Sequence, residues 1–96
     1  MSAGNEPYRI LYSKTAVKQT PELKAVGLAH KVQHLINVVR NEPEEDPPSY
    51  EKLRGNLAGC LSHRINIHHR LVYLVHKDLH AVRILSMWTH YDALHA

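Results

Sequence analysis

The sequence predicts an α+β domain in which two N-terminal helices pack on an antiparallel β-sheet, in the order β-α-α-β-β-β. Three observations carry this. Apolar residues fall at helical spacing between residues 28 and 40. Three later runs rich in β-branched and aromatic residues follow one another with short connections. Length sets the frame, because a chain of 96 residues holds a single core and no second domain. Strands joined by short connections pair antiparallel, and helices then collect on one face of the sheet.

The first strand is expected at YRILYS, residues 8–13, on its β-branched and aromatic content. Ser13 offers an N-cap for a helical stretch with Ala16, Val17 and Leu23 as its apolar positions. Pro21 interrupts that stretch and Thr20 is able to cap whatever follows, so either two short helices or one kinked helix is expected. Gly27 marks the break. Beyond it Leu28, Val32, Leu35, Ile36 and Val39 repeat at helical spacing, with Arg40 in the last turn and Pro43 as terminator. NEPEEDPPSYEKL, residues 41–53, reads as a loop. LAGCLSHRI, RLVYLVH and AVRILSMWTHY read as strands, with one turn around residues 66–69 and another at Lys77 and Asp78.

The net charge of +3 is mild, but five of the nine acidic residues lie between positions 42 and 51. The rest of the chain sets twelve basic residues against four acidic ones, a balance that suits a polyanion such as nucleic acid. The opening MSAGNEPYRI lacks the basic and apolar regions of a secretory signal, and no apolar run nears the ~18 residues that span a bilayer. The single cysteine, Cys60, is expected to be a small buried hydrophobe in a soluble cytoplasmic protein with no membrane association.

Nine histidines raise the question of a metal. Neither HExxH nor a cysteine pair is present, and adjacent His68 and His69 point to opposite faces of any strand. No metal and no cofactor are therefore expected; His30 and His34 read as solvated, and His63, His68, His76, His80 and His95 as surface residues of strand ends and turns. Arginines offer more. A turn near Asn66 and Ile67 places Arg64 and Arg70 close together across a hairpin, and like charges opposite each other destabilise a sheet pair. A bound phosphate is one outside reason for them, since guanidinium groups form charge-assisted, bidentate bonds to its oxygens, and Arg54 is able to join. Three solvated arginines are the alternative.

Residues 51–73, EKLRGNLAGCLSHRINIHHRLVY, resemble the central signature of the Txe/YoeB branch of RelE-like toxins, which runs close to E-x-L-x-x-N-L-x-G-x-x-S-R-R-I-x-x-E-H-R-L-V-Y. Asn56, Leu57, Gly59, Ser62, Arg64, Ile65, His69, Arg70, Leu71, Val72 and Tyr73 match, and His90-Tyr91 is similar to the His-Tyr pair with which these proteins finish. The resemblance implies a RelE-like, microbial-RNase-type fold. It implies a toxin of a type II toxin–antitoxin system, a ribosome-dependent endoribonuclease that cleaves mRNA without a metal. Glu51 would be the general base, His90 the general acid, Arg70 the main phosphate-stabilising residue and Tyr91 the aromatic that orients the substrate. Arg54 takes the position of a basic residue that holds phosphate or substrate, and Arg64 falls on the second arginine of the Arg-Arg pair. The partners implied are a YefM-like antitoxin, the ribosome with its mRNA, operator DNA through the antitoxin complex, and a second copy in a homodimer. A ribosome-independent RNase of the same chemistry and a catalytically weak co-repressor are the rival readings.

The chemistry is coherent by itself. Cleaving RNA without a metal requires a base for the 2′-hydroxyl proton, an acid for the leaving 5′-oxygen and cations for the growing phosphorane charge. His63 departs from the family pattern in place of an arginine, which lowers fixed charge near the hairpin; His68 replaces an acidic residue, and residues 92–96 extend past the usual end.

Overall fold

Five strands and two helices make up the computed structural model, which describes residues 6–44 and 50–87. The order is β1 (Arg9–Tyr12), α1 (Lys14–Ala25), α2 (Ala29–Asn41), β2 (Tyr50–Lys52), β3 (Cys60–Arg64), β4 (Arg70–His76) and β5 (Ala81–Ser86), with 3₁₀ turns at Gly55–Leu57 and Lys77–Leu79. No described helix is long and apolar enough to cross a membrane.

Ser13 does cap the first helix: its Oγ accepts from the Ala16 N–H at 3.0 Å and donates to the Leu85 carbonyl at 2.9 Å. The cap therefore also fixes α1 to β5. Helix α1 runs unbroken through Pro21, so one helix forms where sequence left one or two open. It ends in a Schellman motif, with Leu28 N–H donating to Leu23 O and Gly27 N–H to Lys24 O around a left-handed Gly27 at φ +76°. Helix α2 buries Val32, Leu35, Ile36 and Val39, the stripe its spacing predicts.

The sheet order is β1-β5-β4-β3-β2. β3, β4 and β5 pair antiparallel as expected and β2 adds to β3 antiparallel, but β1 pairs parallel with β5, so the sheet is mixed rather than antiparallel. The reason is connectivity. No hairpin ties β1 to a neighbour, and two helices separate it from the next strand, so its direction is set by packing instead of by a tight turn. A second correction concerns residues 41–53, expected as loop. Tyr50–Lys52 pairs with β3, with Glu51 opposite Ser62, as a three-residue edge strand held by cross-strand pairing rather than by its own composition.

Ala16, Leu23, Val32, Leu35, Ile36 and Val39 from the helices meet Leu61, Ile65, Leu71, Tyr73, Val82 and Ile84 from the sheet side. His63 joins that core, which corrects its expected place at the surface. Only 1% exposed, it stacks on Tyr73 at 5.8 Å between ring centres and meets Tyr50 edge-on at 6.2 Å. It alternates with Ser62 and Arg64 along β3, so the arginine side of the sheet is the side His63 does not face.

Candidate active site

Strand alternation sorts the candidate residues. Leu61 and His63 on β3 pair with Tyr73 and Leu71 on β4 and point at the helices. Ser62, Arg64 and Arg70 therefore share the opposite face, the open face away from the helices, on which Ser62 and Val72 are buried while Arg64 and Glu51 are exposed; Glu51 joins them through its pairing with Ser62. Arg64 and Arg70 are directly opposed, which places their Cα atoms about 5 Å apart. Glu51 lies one strand over and two residues back from Arg64, a Cα separation of about 8 Å, and about 12 Å from Arg70. Side chains of this length are long enough to span such gaps.

The hairpin between β3 and β4 fixes the opposition of the two arginines. Asn66 Oδ1 accepts from both the His68 and His69 N–H groups at 2.8 Å, while the Ile65 and Asn66 N–H groups donate to the His69 carbonyl. These bonds set the register that opposes the two arginines. Asn66 was missed as a structural residue in the sequence, although an Asn two residues before a turn's end is the recognised signal for such side-chain bonding. At its tip Ile67 and His68 are exposed. Burial, and next to it the neighbouring His68, lower the proton affinity of His69 below the ordinary histidine value. That imidazole is neutral near pH 7.

Arg54 is placed elsewhere. It opens the Gly55–Leu57 turn, just after Leu53 N–H donates to Cys60 O, at the far end of the β2–β3 ladder. Cys60 is four residues from Arg64, so Arg54 is set off from the arginine pair by about 13 Å along the sheet. His90 and Tyr91 lie outside the described residues. What leads to them is firmly held: Gln19 on α1 accepts from the Met87 N–H at 2.7 Å and exchanges hydrogen bonds with Ser86.

Cys60 is buried, and desolvation pushes its thiol above the ordinary value, away from nucleophilic character. Among the described residues no three His, Cys, Asp or Glu side chains gather into a metal-holding group. A groove of about 540 Å³ lined by Lys52, Cys60, Val75, His76 and Asp78 opens at the other end of the strands and includes neither Glu51 nor the arginine pair.

Two helices on one side of a five-stranded sheet, with arginines and a glutamate on the other, define the RelE-like class of toxin folds. The chain belongs to the family of YoeB-like toxins of bacterial type II toxin–antitoxin systems, whose family model matches residues 22–91. Among solved structures it is similar to the YoeB dimer from Staphylococcus aureus, with 32% identity, a TM-score of 0.74, and coverage of 88% of this chain and 99% of that one. The YoeB–YefM complex from the same organism shows 32% identity and a TM-score of 0.73 over 88% of this chain and 98% of that one. A YoeB/ParE toxin from Agrobacterium tumefaciens, at 22% identity, shares the fold with a TM-score of 0.78 over 86% of this chain and 99% of that one. No curated protein matches the chain.

Proposed function

We propose that this toxin is a ribosome-dependent endoribonuclease that cleaves mRNA by metal-independent acid–base chemistry and so inhibits translation. The observation that carries the reading is the placement of Glu51, Arg64 and Arg70 at neighbouring register positions on one face of the sheet. Glu51 takes the 2′-hydroxyl proton, the oxygen attacks the adjacent phosphorus, and His90 protonates the leaving 5′-oxygen. Arg70, supported by Arg64, neutralises the charge that grows on the phosphorane oxygens. Tyr91 orients the base beside the scissile bond. Arg54, further along the sheet, holds a flanking phosphate. The dependence on a 2′-hydroxyl makes RNA the substrate and spares DNA.

A YefM-like antitoxin is the proposed partner that holds the enzyme inactive, on the analogy of the S. aureus complex, with a homodimer and operator DNA binding through the antitoxin complex as further assemblies. The cytoplasm is where such a reaction meets ribosomes.

Primer extension on messages after induction tests this. Wild type gives discrete new 5′ ends within translated regions, and Glu51→Ala and His90→Ala lose them. An unchanged message pattern in those variants rules out the catalytic reading and leaves a binding co-repressor. Strong cutting of naked transcript by purified protein contradicts ribosome dependence, and loss of activity in excess EDTA contradicts the metal-free mechanism.

A further inference from the structure

We infer that the open face carries a second cation station, Arg83 with Arg9, that grips the backbone of single-stranded RNA several nucleotides away from the scissile phosphate. The inference rests on the RNA-cleaving reading above and extends the substrate path across the sheet.

Arg83 lies in the middle of β5, a strand with neighbours on both sides, and it is exposed between buried Val82 and Ile84. Its register partners are Leu11 on β1 and Leu74 on β4, so it projects from the same open face as Arg64 and Arg70. Arg9 is exposed one row further on, opposite Ala81, about 8 Å from Arg83 by strand spacing and rise. A cation on an interior strand between two leucines adds nothing to sheet packing that an apolar residue would not supply better. The strands offer it no partner of their own either: β1, β3, β4 and β5 contain no acidic residue at all.

Distance and texture favour RNA over an acidic polypeptide. Arg83 and Arg70 are separated by the four-residue step from Leu74 to Arg70 and by one strand, about 14 Å. That is the reach of a few nucleotides of extended single strand, with backbone charge tracked by cations and bases laid on apolar surface. Half-buried Leu11, Leu74 and Leu85 supply such a surface around Arg83. An acidic peptide gains nothing from leucines between its carboxylates and the cations.

The test measures fluorescence anisotropy of the full-length protein with 2′-O-methyl oligoribonucleotides, which lack the nucleophilic hydroxyl and are not cut. A trimer occupies the Glu51–Arg70 end, and a nonamer reaches the second station. The nonamer is expected to bind at least tenfold more tightly than the trimer. Arg83→Gln with Arg9→Gln is expected to abolish that advantage and to flatten the nonamer's log Kd against log salt dependence by about 0.7 for each cation removed. Arg83→Lys is expected to retain the slope, which a purely structural role for the guanidinium would not predict. If the double variant leaves nonamer affinity and slope unchanged while Arg70→Ala still weakens the trimer, the inference is overturned and the cleavage reading stands. If the double variant weakens a decaglutamate peptide but not the nonamer, the station serves a protein partner and the inference is again overturned. Absence of nonamer binding overturns the inference, while the ribosome-dependent cleavage reading is decided separately by the primer-extension assay.

Discussion

Tyr73 and His63 carry a job that their neighbours in the sequence hide. The Tyr73 hydroxyl, deep in the protein, donates to the Pro43 carbonyl at 2.6 Å and so pins the exit of α2 to the middle of β4. Desolvation above all, then Tyr50 and Glu44 nearby, raise its pKa far above the usual 10.0. An acid with a raised folded value contributes stability that is fully present below about pH 10 and is lost as pH climbs beyond it. Denaturant unfolding across pH 8–11.5 should therefore show stability falling above pH 10, and Tyr73→Phe should lose most of that fall while being less stable at pH 8 by about 1–3 kcal/mol, because the Pro43 carbonyl is left unpaired. A wild-type curve flat above pH 10 contradicts the buried hydroxyl. Arg64 and Arg70 were legible from sequence because hairpin spacing opposes them whatever surrounds them. The place of His63 was not. Its burial depends on Tyr50, a residue on a strand that composition concealed, and on which face of β3 the helices cover.

At the scale of elements the β3–β4 hairpin holds the tension between stability and function. Opposed arginines cost the pairing about 0.2–1 kcal/mol, and the Asn66 side chain offsets this with its two bonds to the loop backbone. Arg64→Gln is thus expected to raise stability by a few tenths of a kcal/mol to about 1 kcal/mol while lowering cleavage. Asn66→Ala is expected to lower stability by about 1–3 kcal/mol and to lower cleavage as well, through a loosened register. Urea titration beside a cleavage assay separates the two, and an Arg64→Gln chain that is less stable than wild type contradicts the repulsion argument. The helices and β4 were readable because each carries its own signal: a 3.6-residue stripe in α2, and Val72, Tyr73 and Val75 within the apolar run of β4. β2 was not, because Glu51 and Lys52 are exposed polar residues whose extended conformation comes from β3 rather than from themselves. The parallel pairing of β1 was equally hidden, since no local pattern records the direction of a strand that has no hairpin.

For the molecule as a whole, the sheet divides labour between its faces. One face binds the helices through a continuous apolar core, and the other carries Glu51 and the arginines around buried Ser62 and Val72 and half-buried leucines. The order β1-β5-β4-β3-β2 puts the arginine-bearing ends of β3 and β4 on interior strands and Glu51 on the edge. Native-state hydrogen exchange should accordingly be slowest in β4 and β5, and fastest among the strands in three-residue β2. Protection of β2 equal to that of β4 would contradict this layout. Glu51, the proposed general base, therefore sits on the shortest strand, at the edge of the sheet. The class of protein was legible because the motif in residues 51–73 runs from β2 through β3 into β4, the strands that carry Glu51, Arg64 and Arg70.

The most direct test is the single-turnover cleavage rate on mRNA-programmed ribosomes for wild type, Glu51→Gln and Arg70→Ala, each confirmed folded by circular dichroism. Glu51→Gln keeps the shape and removes the base, and its rate should fall by about 10²–10⁴-fold. Arg70→Ala should fall by about 10²–10³-fold, the loss typical of one preorganised charge-stabilising group. Folded variants that cleave at the wild-type rate would contradict the account.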